Sequence, residues 1–361
     1  MHLKFEKEVV ISRETRLYPH FGYYGWPSVA IDENGVTYAV VSKRIRHIDP
    51  YGKVMMYRST DRGETWDDGT CLIDSPIDDR DAGIVYMGNG RMLVTTFSHD
   101  SVQYIVNDNH RWTGWKEEVG EDGVREKTEG WKTLRPEALS GNSAYIISTD
   151  YGRTWSEKRY MPITAPHGPS MMNSGELMYL GIPHHSAFAI GEELPYRVYF
   201  YISRDGGESW TKFSELPLPE DRCPVEAYGL QLKNGTVVAT ARTADFHTLL
   251  LRSSDGGQTW TEPVDLTYGA PAQLCEAADG TLVLTYAKRK YTTGQCVRFS
   301  SDSGETWTDE TYVSKPVSAG DWDLGYPATA QYADGTFITV YYQRWQDDTK
   351  PSLICRKWRT D

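Results

Sequence analysis

The 361-residue sequence is poor in cysteine: five, at 71, 223, 275, 296 and 355, with no Cys-x-x-Cys pair among them. An odd, scattered set excludes a disulfide framework and a zinc ribbon, and predicts reduced thiols used in packing. No stretch approaches 18 apolar residues, so no membrane-spanning helix is expected. The opening MHLKFEKEVVISRE lacks the apolar core of a secretory leader, and the prediction is a soluble, cytoplasmic protein. Positive charge is in deficit, with 38 Lys and Arg against 50 Asp and Glu. A net charge of −12 argues against nucleic acid as the partner. His-Glu-x-x-His, phosphate-binding glycine loops and Gly-x-Ser-x-Gly elbows are absent, and the adjacent His184 and His185 cannot readily share one ion. No metal or cofactor is expected. Helical periodicity is missing as well.

What is present is aromatic and rich in turns. Aromatics make up 12% of the chain, and 32 Gly with 18 Pro supply turn residues, a composition that leans towards β structure. One octapeptide recurs: STDRGETW at 59, STDYGRTW at 148, SRDGGESW at 203, SSDGGQTW at 253 and SSDSGETW at 300. Each follows a short β-prone run. The Asp can bond nearby backbone N–H groups, the Gly accepts positive φ, and the Trp folds back as a plug. This is a hairpin with a locked turn, and the need it meets is structural.

A second series interleaves with the first: strand, Gly turn, strand, in SVAIDENGVTYAVVS, GIVYMGNGRMLVTTFS, PSMMNSGELMYLGIP, AYGLQLKNGTVVATAR, AQLCEAADGTLVLTYAKR and ATAQYADGTFITVYYQ. Five of these six hairpins are followed by a box hairpin. The sixth is followed only by the single strand SLICRKW (352–358). Six four-stranded units with one strand missing predict a six-bladed β-propeller over residues 1–361, closed by the N-terminal strand FEKEVVIS. Residues 99–142, charged and Trp-containing, read as an insertion in blade 2.

In such a blade the Gly turns and the box turns share one face. The opposite face collects Tyr23 to Trp26, Arg44, Arg46, His47, Asp49, Arg80, Asp81, His167, His184, Glu226, Arg242, Arg289 and Tyr326. Most of the nine histidines lie there, together with a concentration of Arg and Lys. A basic, aromatic mouth on an acidic body points to an anionic sugar.

The five boxes resemble the Asp-box (BNR) repeats of the sialidase superfamily, and the resemblance covers nearly the whole chain. It implies a six-bladed propeller and an exo-acting, retaining glycoside hydrolase. It carries the acid/base role to Asp49, about two dozen residues after the Pro27 that matches the Pro of the Arg-Ile-Pro motif. Glu226 and Arg242, 242 − 226 = 16 residues apart, match the family's Glu and Arg of blade 4. Tyr326 in GYPATAQ matches the Tyr nucleophile, activated by the Glu. The family's first clamp arginine falls on Gly25, so its three-arginine grip on a carboxylate is incomplete. Arg242 matches one member and Arg289 is a candidate for another, with Arg44, Arg46 or Arg80 available to replace the third. Trp26 offers a stacking surface for a sugar ring, and Asp81, His47, His167 and His184 complete the expected binding set.

The expected function is thus a sialidase-like hydrolase of an acidic sugar other than ordinary sialic acid. Two alternatives stand beside it: a lyase in which His47, His167 or His184 takes a proton beside a uronate carboxylate, and a non-catalytic sugar-binding propeller.

Overall fold

Each octapeptide is a turn that its own side chains lock. In the first, Ser59 Oγ donates to Asp61 Oδ1 at 2.8 Å and accepts from Gly63 N at 2.8 Å, while Thr65 N and Oγ1 both donate to Asp61, at 2.9 and 2.5 Å. The same set recurs around Asp150, Asp205, Asp255 and Asp302. With a threonine or serine hydroxyl and backbone N–H groups directed at one carboxylate, Asp61, Asp150, Asp205 and Asp302 are each held down at about 2.

The computed structural model describes residues 2–14, 21–106, 113–183, 196–290, 292–317 and 321–361. Their strands form six antiparallel sheets in the order the sequence predicts. The innermost strands are Tyr23–Ile31, Asp79–Gly88, a split pair Ile163–Thr164 and Ser170–Met171, Val225–Gln231, Ala272–Glu276 and Gly325–Gln331. The sixth sheet takes its outermost strand from the N-terminus: Leu3–Ser12 pairs with Pro351–Thr360. The ring closes as expected.

Apolar faces of neighbouring blades pack against each other, and each box tryptophan enters the seam with the preceding blade. Trp155, Trp210, Trp260 and Trp307 pack into the seams of blades 1 and 2, 2 and 3, 3 and 4, and 4 and 5, and Trp66 into the closing seam of blades 6 and 1. Blade 6 has no box. Its seam with blade 5 is filled instead by Trp358, fully buried on the third strand and stacked on Phe337 at 4.3 Å. On the rim, the Gly turn of one blade bonds the box of the next. Tyr151 donates to Glu33 at 2.8 Å, Asn234 to Ser303 at 2.8 Å, and Arg62 pairs with Asp334 at 2.5 Å across the closure. The two turn series therefore share one face.

The insertion in blade 2 contains helices, Val102–Val106, Trp115–Lys132 and Pro136–Leu139. Its Tyr104, Trp115 and Trp131 pack on Ile48 and Tyr51, covering the loop that follows the second strand of blade 1.

Candidate active site

On the face opposite the boxes, four inner strands carry the same irregularity. Pairing is regular up to Gly25, Arg80, Val225 and Gly325, and resumes at Ser28, Gly83, Tyr228 and Ala328. Two residues there oppose one on the neighbouring strand, which is a β-bulge, and bulges re-aim a side chain. The first bulged residue is Trp26 (φ 56°), Asp81 (52°), Glu226 (49°) or Tyr326 (50°). Non-glycine residues in this left-handed region cost about 1–3 kcal/mol each and concentrate at functional sites. Pro27 and Pro327 follow two of the bulges, where the ladder needs no N–H. Blade 3 breaks its inner strand nearby with His167 and Gly168, both at positive φ. Blade 5 presents only the small Gly269 and Ala270 ahead of its inner strand.

The bulges aim their side chains into a cleft of about 520 Å³, lined also by His47, Arg80, Arg242, Phe246, Arg289 and Trp322. At its floor Tyr326 Oη donates to Glu226 Oε1 at 2.5 Å, and Arg242 Nη1 spans both Glu226 oxygens at 2.9 Å. Burial, then the Glu226 charge, pushes the Tyr326 phenol well above its ordinary value. The phenol is neutral at rest, bonded to the group that can take its proton. These three residues, named by the family resemblance, do meet.

Arginines fall into two groups. Arg242 and Arg289 flank Phe246, their guanidinium carbons 4.9 and 5.5 Å from its ring centre. Arg289 donates to Leu324 O and Tyr342 Oη at 2.8 and 3.2 Å, and Tyr342, Tyr326 and Glu226 keep it firmly cationic against its burial. Arg242 Nη2 and Arg289 Nη1 have no hydrogen-bonding partner among the described residues and are free to hold an anion. Arg80 lines the cleft but is engaged on every edge: Nη2 with His47 O at 2.7 Å, Nη1 with His99 at 3.1 Å, Nε 3.0 Å from Asp78.

Several expectations are corrected here. Asp49 is fully buried, and it does not line the cleft. Its Oδ2 accepts from the N–H groups of Ile45 and Arg46 at 3.2 and 2.9 Å, and its Oδ1 from Tyr51 N at 2.7 Å. It shapes a loop that the insertion then covers, so it cannot reach a substrate. Arg44 is fully buried too, paired with Asp49 and Asp78, its guanidinium 4.8 Å from the Trp26 ring centre. Arg46 turns to the insertion, donating to Gly114 O at 2.6 Å with Glu117 and Glu118 nearby. Neither of these arginines replaces the missing clamp. His167 is buried with its ring 6.1 Å from that of Tyr326, and burial drives it down to about 3, hence neutral. It does not line the cleft. His184 lies outside the described residues.

Other parts were not anticipated as a set. His47 Nδ1 is 3.0 Å from Asp323 Oδ1, and Tyr23 Oη bonds both, at 2.7 Å each. His47 packs between Trp26 and Trp322, and burial lowers its proton affinity. Tyr23 also explains Gly25: a Cβ there would stand 3.0 Å from the Tyr23 ring, where an arginine has no easy room. Phe246, between the two free arginines, gave no signal in the sequence beyond its place in a loop.

Against known proteins, the model of the BNR repeat-like domain family matches residues 123–340. A xyloglucanase from Paenibacillus sp. is 26% identical over 231 residues, 57% of this chain. The chain spans only 22% of that relative's length. A Dyadobacter fermentans protein of unknown function superposes with a TM-score of 0.76 at 19% identity, covering 99% of both chains. The Hadza microbial sialidase Hz136 gives 0.67 at 17% identity, over 94% of this chain and 66% of its own. At these identities the solved structures establish a shared fold.

Proposed function

Since the chain belongs to the BNR repeat-like family and has the six-bladed fold of sialidases, we propose that it is a retaining exo-glycoside hydrolase acting on an acidic sugar. The observation that carries this reading is the 2.5 Å bond between Tyr326 and Glu226 at the floor of the cleft. Glu226 takes the phenol proton as Tyr326 attacks the anomeric carbon, and Arg242 holds Glu226 in place. A nucleophile that is neutral at rest avoids the repulsion that an anionic one would meet from a substrate carboxylate held in the same cleft. The distant xyloglucanase relative supports glycoside chemistry without supplying the substrate.

The free edges of Arg242 and Arg289 are the anion grip, and Trp26 packs the sugar ring. Gly25 contributes no guanidinium and Arg80 is already engaged. Two arginines suit a uronate better than the more demanding grip on sialic acid. A second reading rests on His47, kept neutral by burial and oriented by Asp323: as a base it would make the site a uronate lyase.

The test is turnover of 4-methylumbelliferyl glycosides of glucuronic, galacturonic and N-acetylneuraminic acids. We expect cleavage of a uronide, weak or no cleavage of the sialoside, and a loss of about 10³-fold or more in Tyr326→Phe. An oligouronide, whose C4 oxygen carries a leaving sugar, separates the second reading: undiminished cleavage by Tyr326→Phe, with products that absorb as a new C4–C5 double bond, would move the assignment to the lyase. Efficient cleavage of the sialoside would contradict the substrate assignment.

A further inference from the structure

We propose that Asp81 is the acid/base residue of this site, the role that the resemblance assigns to Asp49. The inference rests on the hydrolase reading above and adds to it the group that protonates the leaving oxygen and later activates water.

Placement comes first. Asp81 occupies the same bulge position on blade 2 as Glu226 on blade 4 and Tyr326 on blade 6. Its side chain lines the cleft that theirs do. Asp49 shows what a structural carboxylate looks like here, with both oxygens taken by backbone N–H groups. Asp81, only 7% exposed, has no hydrogen-bonding partner for its carboxyl among the described residues. Its oxygens are not among the sealed, unpartnered polar atoms; they open to the cleft, where a bound molecule can reach them. The bulge sets the orientation, because it takes residue 81 out of the regular alternation of the strand and re-aims its side chain.

Electrostatics then set its state. Asp81 faces Glu226 and Arg242 of blade 4, Tyr326 and Tyr342 of blade 6, Tyr179 of blade 3, and Arg44 and Arg80 on its own side. Burial, followed by the Glu226 carboxylate, pushes Asp81 up to about 7 against the opposing pull of the arginines. It is therefore substantially protonated near neutral pH.

The two protons exchange roles during the reaction. In the first half, the Tyr326 Oη–C bond forms, the glycosidic C–O bond breaks, Glu226 takes the Tyr326 proton and Asp81 gives its own to the departing oxygen. Glu226 is now neutral and no longer opposes ionisation of Asp81, which stays a carboxylate. In the second half, water attacks the anomeric carbon, Asp81 takes its proton, the Tyr326 Oη–C bond breaks and Glu226 returns the proton to Tyr326. The sum is hydrolysis, with each group restored.

The test compares Asp81→Asn, Tyr326→Phe and the unaltered protein on two substrates: the 4-methylumbelliferyl glycoside that turns over fastest and the methyl glycoside of the same sugar. Asparagine tolerates the left-handed conformation well, so the bulge survives. The methyl glycoside, a poor leaving group, should lose about 10²–10⁴-fold in rate in Asp81→Asn. The activated glycoside should lose far less in its first step, and azide should restore its turnover by forming the glycosyl azide. Carboxyl-carbon NMR adds a readout independent of activity: Asp81 should titrate near neutrality, and at lower pH in Glu226→Gln. If Asp81→Asn cleaves the methyl glycoside as fast as the unaltered protein while Tyr326→Phe does not, the assignment of Asp81 fails and the hydrolase reading stands. If Tyr326→Phe is fully active, or the unaltered protein cleaves none of the three aryl glycosides, the hydrolase reading fails and takes this one with it.

Discussion

At the rim, Ser59, Ser148, Ser203, Ser253 and Ser300 each donate to an aspartate two residues on, in five turns of nearly one sequence. Near the axis, four bulges of one backbone shape hold Trp26, Asp81, Glu226 and Tyr326, four different residues. The rim repeats its sequence because each turn meets the same demand, a locked hairpin and a plug for a seam. The bulges repeat only their geometry, because each one supplies a different group to a shared cleft. Where sequence is repeated the residue serves the fold, and where backbone alone is repeated the residues line the cleft to which we assign the chemistry.

The largest effect that could break this comparison is catalytic. Glu226→Gln should reduce turnover by about 10³-fold or more with little change in the melting curve, and pairing it with Tyr326→Phe should add little, since the two act as a unit. A comparable rate loss from Trp210→Ala, with stability unchanged, would place a box in the active site.

Next in size is the seam. Trp358→Ala removes a fully buried, stacked ring and should cost about 3–5 kcal/mol in denaturant unfolding. Trp210→Ala and Trp260→Ala, only partly buried, should cost less than Trp358→Ala, and the rate of the folded enzyme should hold in all three.

Asp81 sharpens the comparison by its sign. Its folded-state pKa, about 7, is raised above the unfolded value, so the folded protein binds more protons and stability falls as pH rises between the two. Asp81→Asn should therefore stabilise the protein at pH 8, on the order of 4 kcal/mol, and hardly at pH 4. The box aspartates run the other way. Their depressed values mean that their contribution is fully present above the ordinary carboxylate range and disappears as pH falls through about 2. Asp205→Asn should lower the melting temperature modestly at pH 7, and the difference from the unaltered protein should shrink in acid.

The fold was legible in the sequence because its signals are local. Asp, Gly and Trp at fixed offsets specify a turn wherever they occur, and the count of hairpins fixed the number of blades and the vacancy filled by Leu3–Ser12. Tyr326, Glu226 and Arg242 could be proposed because each stands in a local context that matches the family's motif, two of them at the ends of one hairpin. Asp49 misled because its fate is decided by Tyr104, Trp115 and Trp131, which arrive from a later insertion and cover its loop. Its bonds to the N–H groups of its own loop, ahead of Pro50, are a local pattern; the covering insertion is not. The bulges were half visible: Gly25-Trp26-Pro27 and Gly325-Tyr326-Pro327 share a spacing, whereas Arg80-Asp81-Ala82 and Val225-Glu226-Ala227 show neither Gly nor Pro. Their equivalence exists only in strand register.

The central claim, that the bulges do the chemistry, is tested most directly by trapping the covalent intermediate. The protein would be incubated with fluorinated glycosyl fluorides of glucuronic, galacturonic and N-acetylneuraminic acids, digested and mapped by mass spectrometry. We expect one fluoroglycosyl group per chain, on the peptide containing Tyr326, and none in Tyr326→Phe. A label on any other residue, or no label from a sugar whose aryl glycoside the protein cleaves, would contradict the account.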